Sequence, residues 1–193
     1  MATPLGHGII GLALAQFGGN ARPRRAWVWL GFAVVAAGAP DLDFVPGVLA
    51  GDANLYHQQG SHSLPAAVVF GLVVAGLTWG RVSRPAVIGA LAGIMYASHL
   101  VLDCLTTDGR APYGIPLLWP FSDMYFISPF TPFQGVRHGV PGDPLHSVLG
   151  DIFSRHNLRV LLVEAVWTLP VLAVSVLLTD RARRSRREDQ RGR

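Results

Sequence analysis

Residues 96–109, YASHLVLDCLTTDG, close an apolar run with an imidazole and a carboxylate, His99 and Asp103, set four positions apart. At that spacing two side chains lie one above the other on a single helix face, close enough to share a metal ion or a proton. The run itself, about residues 85–103, approaches the roughly 20 residues that carry a helix across a bilayer. A membrane-embedded helix with a polar end is therefore the first expectation, and the rest of the chain decides what surrounds it.

Of the 193 residues, 50% are hydrophobic and 15% charged, well below the roughly 25% charged of soluble domains. The composition is that of a membrane protein. All 16 basic residues are arginines, and the net charge of +4 comes largely from the closing run RARRSRREDQRGR. Such a run reads as a membrane-proximal flank, so no nucleic-acid partner is expected. Cys104 is the single cysteine, which precludes an intrachain disulfide; it reads as a small residue at a helix end before it reads as a soft ligand. The first 19 residues lack the basic start of a signal peptide, so they are expected to be retained.

Apolar stretches at about 5–19, 26–40, 64–80, 85–103 and 158–179 predict five helices, the first the weakest as a span. The segment 104–157, rich in Pro, Gly and aromatics, is long enough to be a lid or a site wall. Its PLLWPFSDMYF stretch, with Trp119, reads either as an aromatic lid or as part of an interfacial belt. With the N-terminus outside, the cytoplasmic pieces (RPRR, RVSR and the tail) carry 12 of the 16 arginines, as the positive-inside rule requires. That topology sends His7, Asp41 and Asp43 of PDLD, His57 and His62 of HQQGSH, and His99 with Asp103 to one extracytoplasmic face.

Each of these residues has a structural reading when taken singly: an interfacial His, a Pro-Asp turn, loop histidines, an isolated polar pair. Seven together beside apolar helices are costly unless they pair or coordinate. Four His and three Asp form an N/O donor set suited to Zn²⁺ and compatible with Mn²⁺ or Fe²⁺. They exceed what one tetrahedral ion needs, so two or more ions are expected, bridged by Asp103 or by a PDLD carboxylate.

In order, TPLGHGIIG, PDLD, HQQGSHS, SHLVLDCLTTDG and GIPLLWPFSD resemble the membrane-bound metal-dependent hydrolases of the LexA-regulated inner-membrane type, over most of residues 1–125. Members commonly show His-Arg-Gly-x-Thr-His-Ser; here Gln58, Gln59 and Ser61 replace Arg, Gly and Thr. That family is in turn distantly similar to zinc-dependent phospholipase C. The resemblance implies that His99 and Asp103 are a His-x-x-x-Asp ligand pair with Asp103 bridging, that His62 serves the first ion and His7 the second, and that Asp41 or Asp43 is a ligand or a base. The relatives' last ligand cluster has only His146, His156 and Glu164 to supply it. Glu164, about two turns inside the fifth span, reads equally as functional or as a hydrogen-bonded packing residue.

The expectation is an all-α protein of about five transmembrane or membrane-embedded helices (residues 1–180) with a basic cytoplasmic tail (181–193), in the inner membrane. It is expected to be a metal-dependent hydrolase of a phosphoester or other ester of a lipid or amphiphile, acting through metal-activated water. In that scheme Asp41 is the catalytic carboxylate and His7, Asp43, His57, His62, His99 and Asp103 are the metal ligands. The rival readings are a non-catalytic metal carrier or sensor, and a scaffold whose His and Asp residues only cap helices.

Overall fold

The computed structural model describes residues 1–191 apart from Arg24, Arg110 and Pro141. Those three arginine-rich and loop positions, with Gly192 and Arg193 of the expected tail, lie outside the described residues. Seven α-helices account for most of the chain, and no strand forms among the described residues.

Local chemistry sets the helix starts. Helix α1 (Pro4–Ala15) is capped by Thr3, whose Oγ1 accepts the Gly6 N–H at 3.0 Å, with proline in its first turn, where a missing N–H costs nothing. It ends short of the expected residue 19, giving way to a 3₁₀ segment in which Gly19 takes φ +51°. Helix α2 (Ala26–Gly38) does not stop at PDLD. A 3₁₀ turn over Ala39–Asp43 carries it into α3 (Phe44–Leu49). Ser63 caps α4 (Leu64–Thr78), and α5 (Pro85–Cys104) again begins on proline. A short α6 (Leu145–Ile152) interrupts the expected long loop, and α7 (Arg155–Arg191) is longer at both ends than the apolar run alone implied. Its polar first turn is held because Asn157 bonds the backbone of Arg137, Asp151 and Ile152. At the other end the helix runs on through the arginine-rich residues.

Three stretches are long and apolar enough to cross a membrane: Ala26–Leu49, Pro85–Cys104 and Arg155–Gln190. The 12 residues of α1 and 15 of α4 give only about 18 and 22 Å of helix at 1.5 Å per residue. Neither reaches across a hydrocarbon core of roughly 30 Å unaided.

Helices meet through small residues, the usual solution where lipid supplies no hydrophobic drive. A Cβ on Gly89 would lie 2.5 Å from the Gly71 carbonyl oxygen, and one on Gly11 2.6 Å from that of Ala33. These contacts press α4 onto α5 and α1 onto α2. Val34 and Val35 of α2, Val68, Leu72 and Leu77 of α4, and Val166 and Leu177 of α7 are exposed, the apolar outer surface that a bilayer covers.

Helix directions gather the start of α1, the end of α2, the start of α4 and the end of α5 at one end of the bundle. Arg22, Arg25, Arg81 and Arg84 stand at the other. Over the first end lies the irregular segment 105–144. Its backbone is tied down at Leu64 N–H to Leu117 O (2.9 Å), Ser128 N–H to Cys104 O (2.8 Å) and Val136 N–H to Met1 O (3.2 Å).

Replacing Gly89 by Val should cost about 1–3 kcal/mol by overpacking, read as a lowered melting temperature by circular dichroism in detergent. Gly76→Ala, where nothing lies within 4 Å of the new Cβ, should leave stability unchanged or raise it by about 0.5–1 kcal/mol.

Candidate metal centre

The polar residues singled out in the sequence meet beneath the irregular segment. His7 comes from α1, Asp41 and Asp43 from the 3₁₀ turn after α2, His57 and His62 from the loop before α4, and His99 with Asp103 from the last turns of α5. The turn after α2 does the critical work locally. It lets the chain pass the end of the bundle while two carboxylates point to different neighbours.

His7, His62 and His99 are at most 1% exposed and Asp103 3%. His99 Nε2 lies 3.2 Å from Asp103 Oδ2 and 3.4 Å from Asp41 Oδ1. His62 Nε2 lies 3.6 Å from each of the same two oxygens. His7 stacks on His99 with ring centroids 3.6 Å apart, its Nε2 3.5 Å from Asp103 Oδ1. Both nitrogens of His7, Nε2 of His62 and of His99, Asp41 Oδ1 and Asp103 Oδ2 are buried without a hydrogen-bond partner. Since buried polar groups are normally satisfied, a cluster of such atoms facing one another marks a place for a ligand.

The opposite edge of each ring is occupied. His99 Nδ1 lies 2.9 Å from the Ala37 carbonyl, which only accepts, so Nδ1 carries the proton and Nε2 presents a lone pair inward. His62 Nδ1 sits 3.2 Å from Asp43 Oδ2, an oxygen that also accepts from Ser61 Oγ at 2.7 Å and from the Gln58 N–H at 3.2 Å. Metal-binding histidines are held in this way, with the far N–H given to a carbonyl or carboxylate. Three overlapping groups have ligand atoms mutually within 4.8 Å: His7, Asp41 and His99; Asp41, His57 and His62; His62, His99 and Asp103.

Asp41, expected to be the catalytic carboxylate, thus stands among the atoms that can hold an ion. Asp43, expected to be a ligand, belongs to none of these groups and faces hydrogen-bond donors, including His57 Nδ1 at 2.8 Å. His57 turns its Nε2 toward Met1 Sδ at 2.9 Å. Burial pulls its imidazole below the ordinary range, against the Asp43 hydrogen bond. At His62 burial pulls the same way, but Asp41 and Asp43 outweigh it and the ring ends above that range.

Glu164, His146 and His156 are outside all three groups. His156 Nε2 bonds the Gly135 carbonyl at 2.9 Å, and Glu164 receives the Thr3 N–H at 2.9 Å. Cys104 is also outside them, half-buried with Sγ 3.8 Å from Phe126 O. The family model of the YdjM inner membrane proteins matches residues 1–182, nearly the whole chain. The chain belongs to the YdjM inner membrane protein family. No curated protein and no solved structure matches it.

Two cavities flank the centre of this YdjM-family chain. One, of about 740 Å³, has His57, Gln58 and Gly60 on one wall and Trp119, Asp123 and Tyr125 on the other. The second, of about 420 Å³, touches Met1, Gln58, Arg137 and His138. Gln58 borders both and holds φ +59°, a left-handed conformation uncommon outside glycine. Sequence reasoning missed Met1–Thr3, Ser61 and the Ala37 carbonyl. Thr3-Pro4 before an apolar run is a readable cap signal, whereas a backbone carbonyl leaves no trace in residue type.

In chelator, Asp43→Ala should lower stability by about 2–3 kcal/mol, because several donors to a charged acceptor lose it. Asp41→Ala, which removes an oxygen with no hydrogen-bond partner, should cost less than half as much. Melting of both variants beside wild type checks this.

Proposed function

We propose that this YdjM-family protein is a membrane-bound metal-dependent hydrolase with its centre at the extracytoplasmic face. The observation that carries the reading is the set of buried, unpartnered nitrogen and oxygen atoms aimed at one another. Asp41, His62, His99 and Asp103 would hold one divalent ion, and His7, which shares a group with Asp41 and His99, would serve a second. The all-N/O donor set suits Zn²⁺, with Mn²⁺ and Fe²⁺ as alternatives. A bound ion of this kind lowers the pKa of water toward about 7 and stabilises charge developing on a phosphoryl or acyl oxygen.

The protein's own groups then have distinct tasks. Ala37 and Asp43 fix the ring edges of His99 and His62. His57 lines the larger cavity with its Nδ1 proton held by Asp43 and its Nε2 against Met1 Sδ; with Met1 Sδ displaced, Nε2 would be the base that takes a proton from the attacking water. This passes to His57 the role that sequence reading gave to Asp41, and leaves Asp41 as a ligand. The resemblance of the sequence motifs to zinc-dependent phospholipase C makes a phosphoester the first substrate class and another ester the second.

A lipid or amphiphile fits the entrance. Residues 111–136 contain one charged residue, Asp123, and Tyr113, Phe121, Met124 and Phe130 are exposed beside the cavity wall at Trp119 and Tyr125. Irregular backbone is not tolerated against hydrocarbon, so these side chains belong at the headgroup level, where aromatic residues collect. The arginines at the opposite end of the bundle support a cytoplasmic placement of that end, and with it an extracytoplasmic centre. Full burial of the ligand atoms favours a second reading, a closed non-catalytic metal site of a carrier or sensor.

Detergent-purified wild type should carry about one or two equivalents of transition metal by elemental analysis, lost in folded His99→Ala and Asp103→Ala. Wild type should hydrolyse a chromogenic phosphodiester or a lipid ester, and chelation should abolish turnover. Metal without turnover on either ester supports the carrier or sensor; wild type that takes up neither Zn²⁺ nor Mn²⁺ overturns the metal reading.

A further inference from the structure

Glu164 is 1% exposed and lies in the longest apolar helix of the chain, where an isolated carboxylate is expensive. It is outside the groups that can hold an ion. Its oxygens are spent on one residue. Oε1 and Oε2 accept the Thr3 N–H at 2.9 and 3.0 Å, and Oε2 also accepts from Thr3 Oγ1. Helix α1 makes room for this: a Cβ on Gly6 would lie 2.5 Å from Glu164 Oε2.

The residue beside Thr3 touches the centre. Ala2 N–H donates to Asp103 Oδ1 at 2.8 Å, and Met1 O accepts from Val136 N–H at 3.2 Å. Residues 1–3 are therefore fixed from both sides, by Glu164 through Thr3 and by Val136 through Met1. Their effect falls unequally on Asp103, because Oδ1 accepts the Ala2 N–H while Oδ2, 3.2 Å from His99 Nε2, has no hydrogen-bond partner. One oxygen is anchored and the other is left for an ion.

We propose that Glu164 is a positioning residue of the metal centre: by pinning Thr3 it holds the Ala2 amide on Asp103 Oδ1, which aims Oδ2 inward as a single-oxygen ligand. The inference rests on the metal reading above and adds a residue outside the ligand groups, since Glu164 acts through Thr3 and Ala2. Groups that orient metal ligands typically change affinity by about 10–100-fold when removed, without changing how many ions bind.

The test is Zn²⁺ affinity of the full chain in detergent, by competition with a chelating dye, together with stoichiometry at saturation. Glu164→Ala should weaken Zn²⁺ binding by about 10–100-fold at unchanged stoichiometry, and Thr3→Val, which loses the hydroxyl contact but keeps the backbone N–H on Glu164, should weaken it by less. The double variant should be no weaker than Glu164→Ala alone, as expected of residues in one chain of contacts. Thr3→Ser, which restores the hydroxyl, should bind as wild type, and Glu164→Gln, which keeps an acceptor for Thr3 N–H, should fall between. Wild-type affinity in both Glu164→Ala and Thr3→Val overturns the proposal. So does loss of a whole equivalent in Glu164→Ala with Thr3→Val unaffected, which would make Glu164 a ligand. Should Glu164→Ala not fold, Thr3→Val against Thr3→Ser decides. Wild type that binds no Zn²⁺ sinks the metal reading itself, and this inference with it.

Discussion

Six buried nitrogen and oxygen ligand atoms without hydrogen-bond partners, on five side chains, sit at one end of an apolar bundle, and most of the architecture serves to keep them facing one another. Leaving such atoms unpaired costs on the order of 1–3 kcal/mol each. The bundle tolerates this because everything around them is over-determined. The ring edge of His99 is held by a backbone carbonyl and that of His62 by Asp43, while Tyr96 Oη donates to the Ser61 carbonyl at 2.6 Å and steadies the turn that carries His62. Stability is spent on pointing these groups inward, as expected where a binding site rather than a core is being built.

The close helix contacts belong to the same arrangement. Glycines at the α4–α5 and α1–α2 crossings bring backbones near enough for side chains from separate helices to reach a common point. A Cβ at Gly11, Gly71 or Gly89 would collide with the facing backbone, so bulkier crossings would have to push these helices apart. The irregular segment then covers this end with backbone hydrogen bonds to Leu64, Cys104 and Met1, leaving cavities on either side of Gln58.

Much of this was legible in residue order. The four-residue spacing of His99 and Asp103 places both on one face, and the arginine asymmetry gathers all seven polar residues at one end. What could not be read has physical reasons. Asp41 and Asp43 are two positions apart on a 3₁₀ turn, so composition cannot say which faces His99 and which faces His57. The early end of α1 is a tightening into the 3₁₀ segment Gln16–Ala21, within which Gly19 takes a positive φ that glycine permits without announcing. The late end of α7 reflects good helix formers beyond the apolar run. Glu164 was undecidable because its partner Thr3 is 161 residues away, and no local pattern encodes such a pairing.

That same separation bears on how the protein is made. Helix α1 is made before α7 and is too short to be retained by the bilayer alone, yet its cap residue is seated on a carboxylate 161 residues further along the chain. Until α7 has inserted, α1 has no fixed place and His7 no fixed neighbours. The order of synthesis thus leaves these polar residues without their final arrangement until α7 is in the membrane, so a chain cut before Glu164 lacks it.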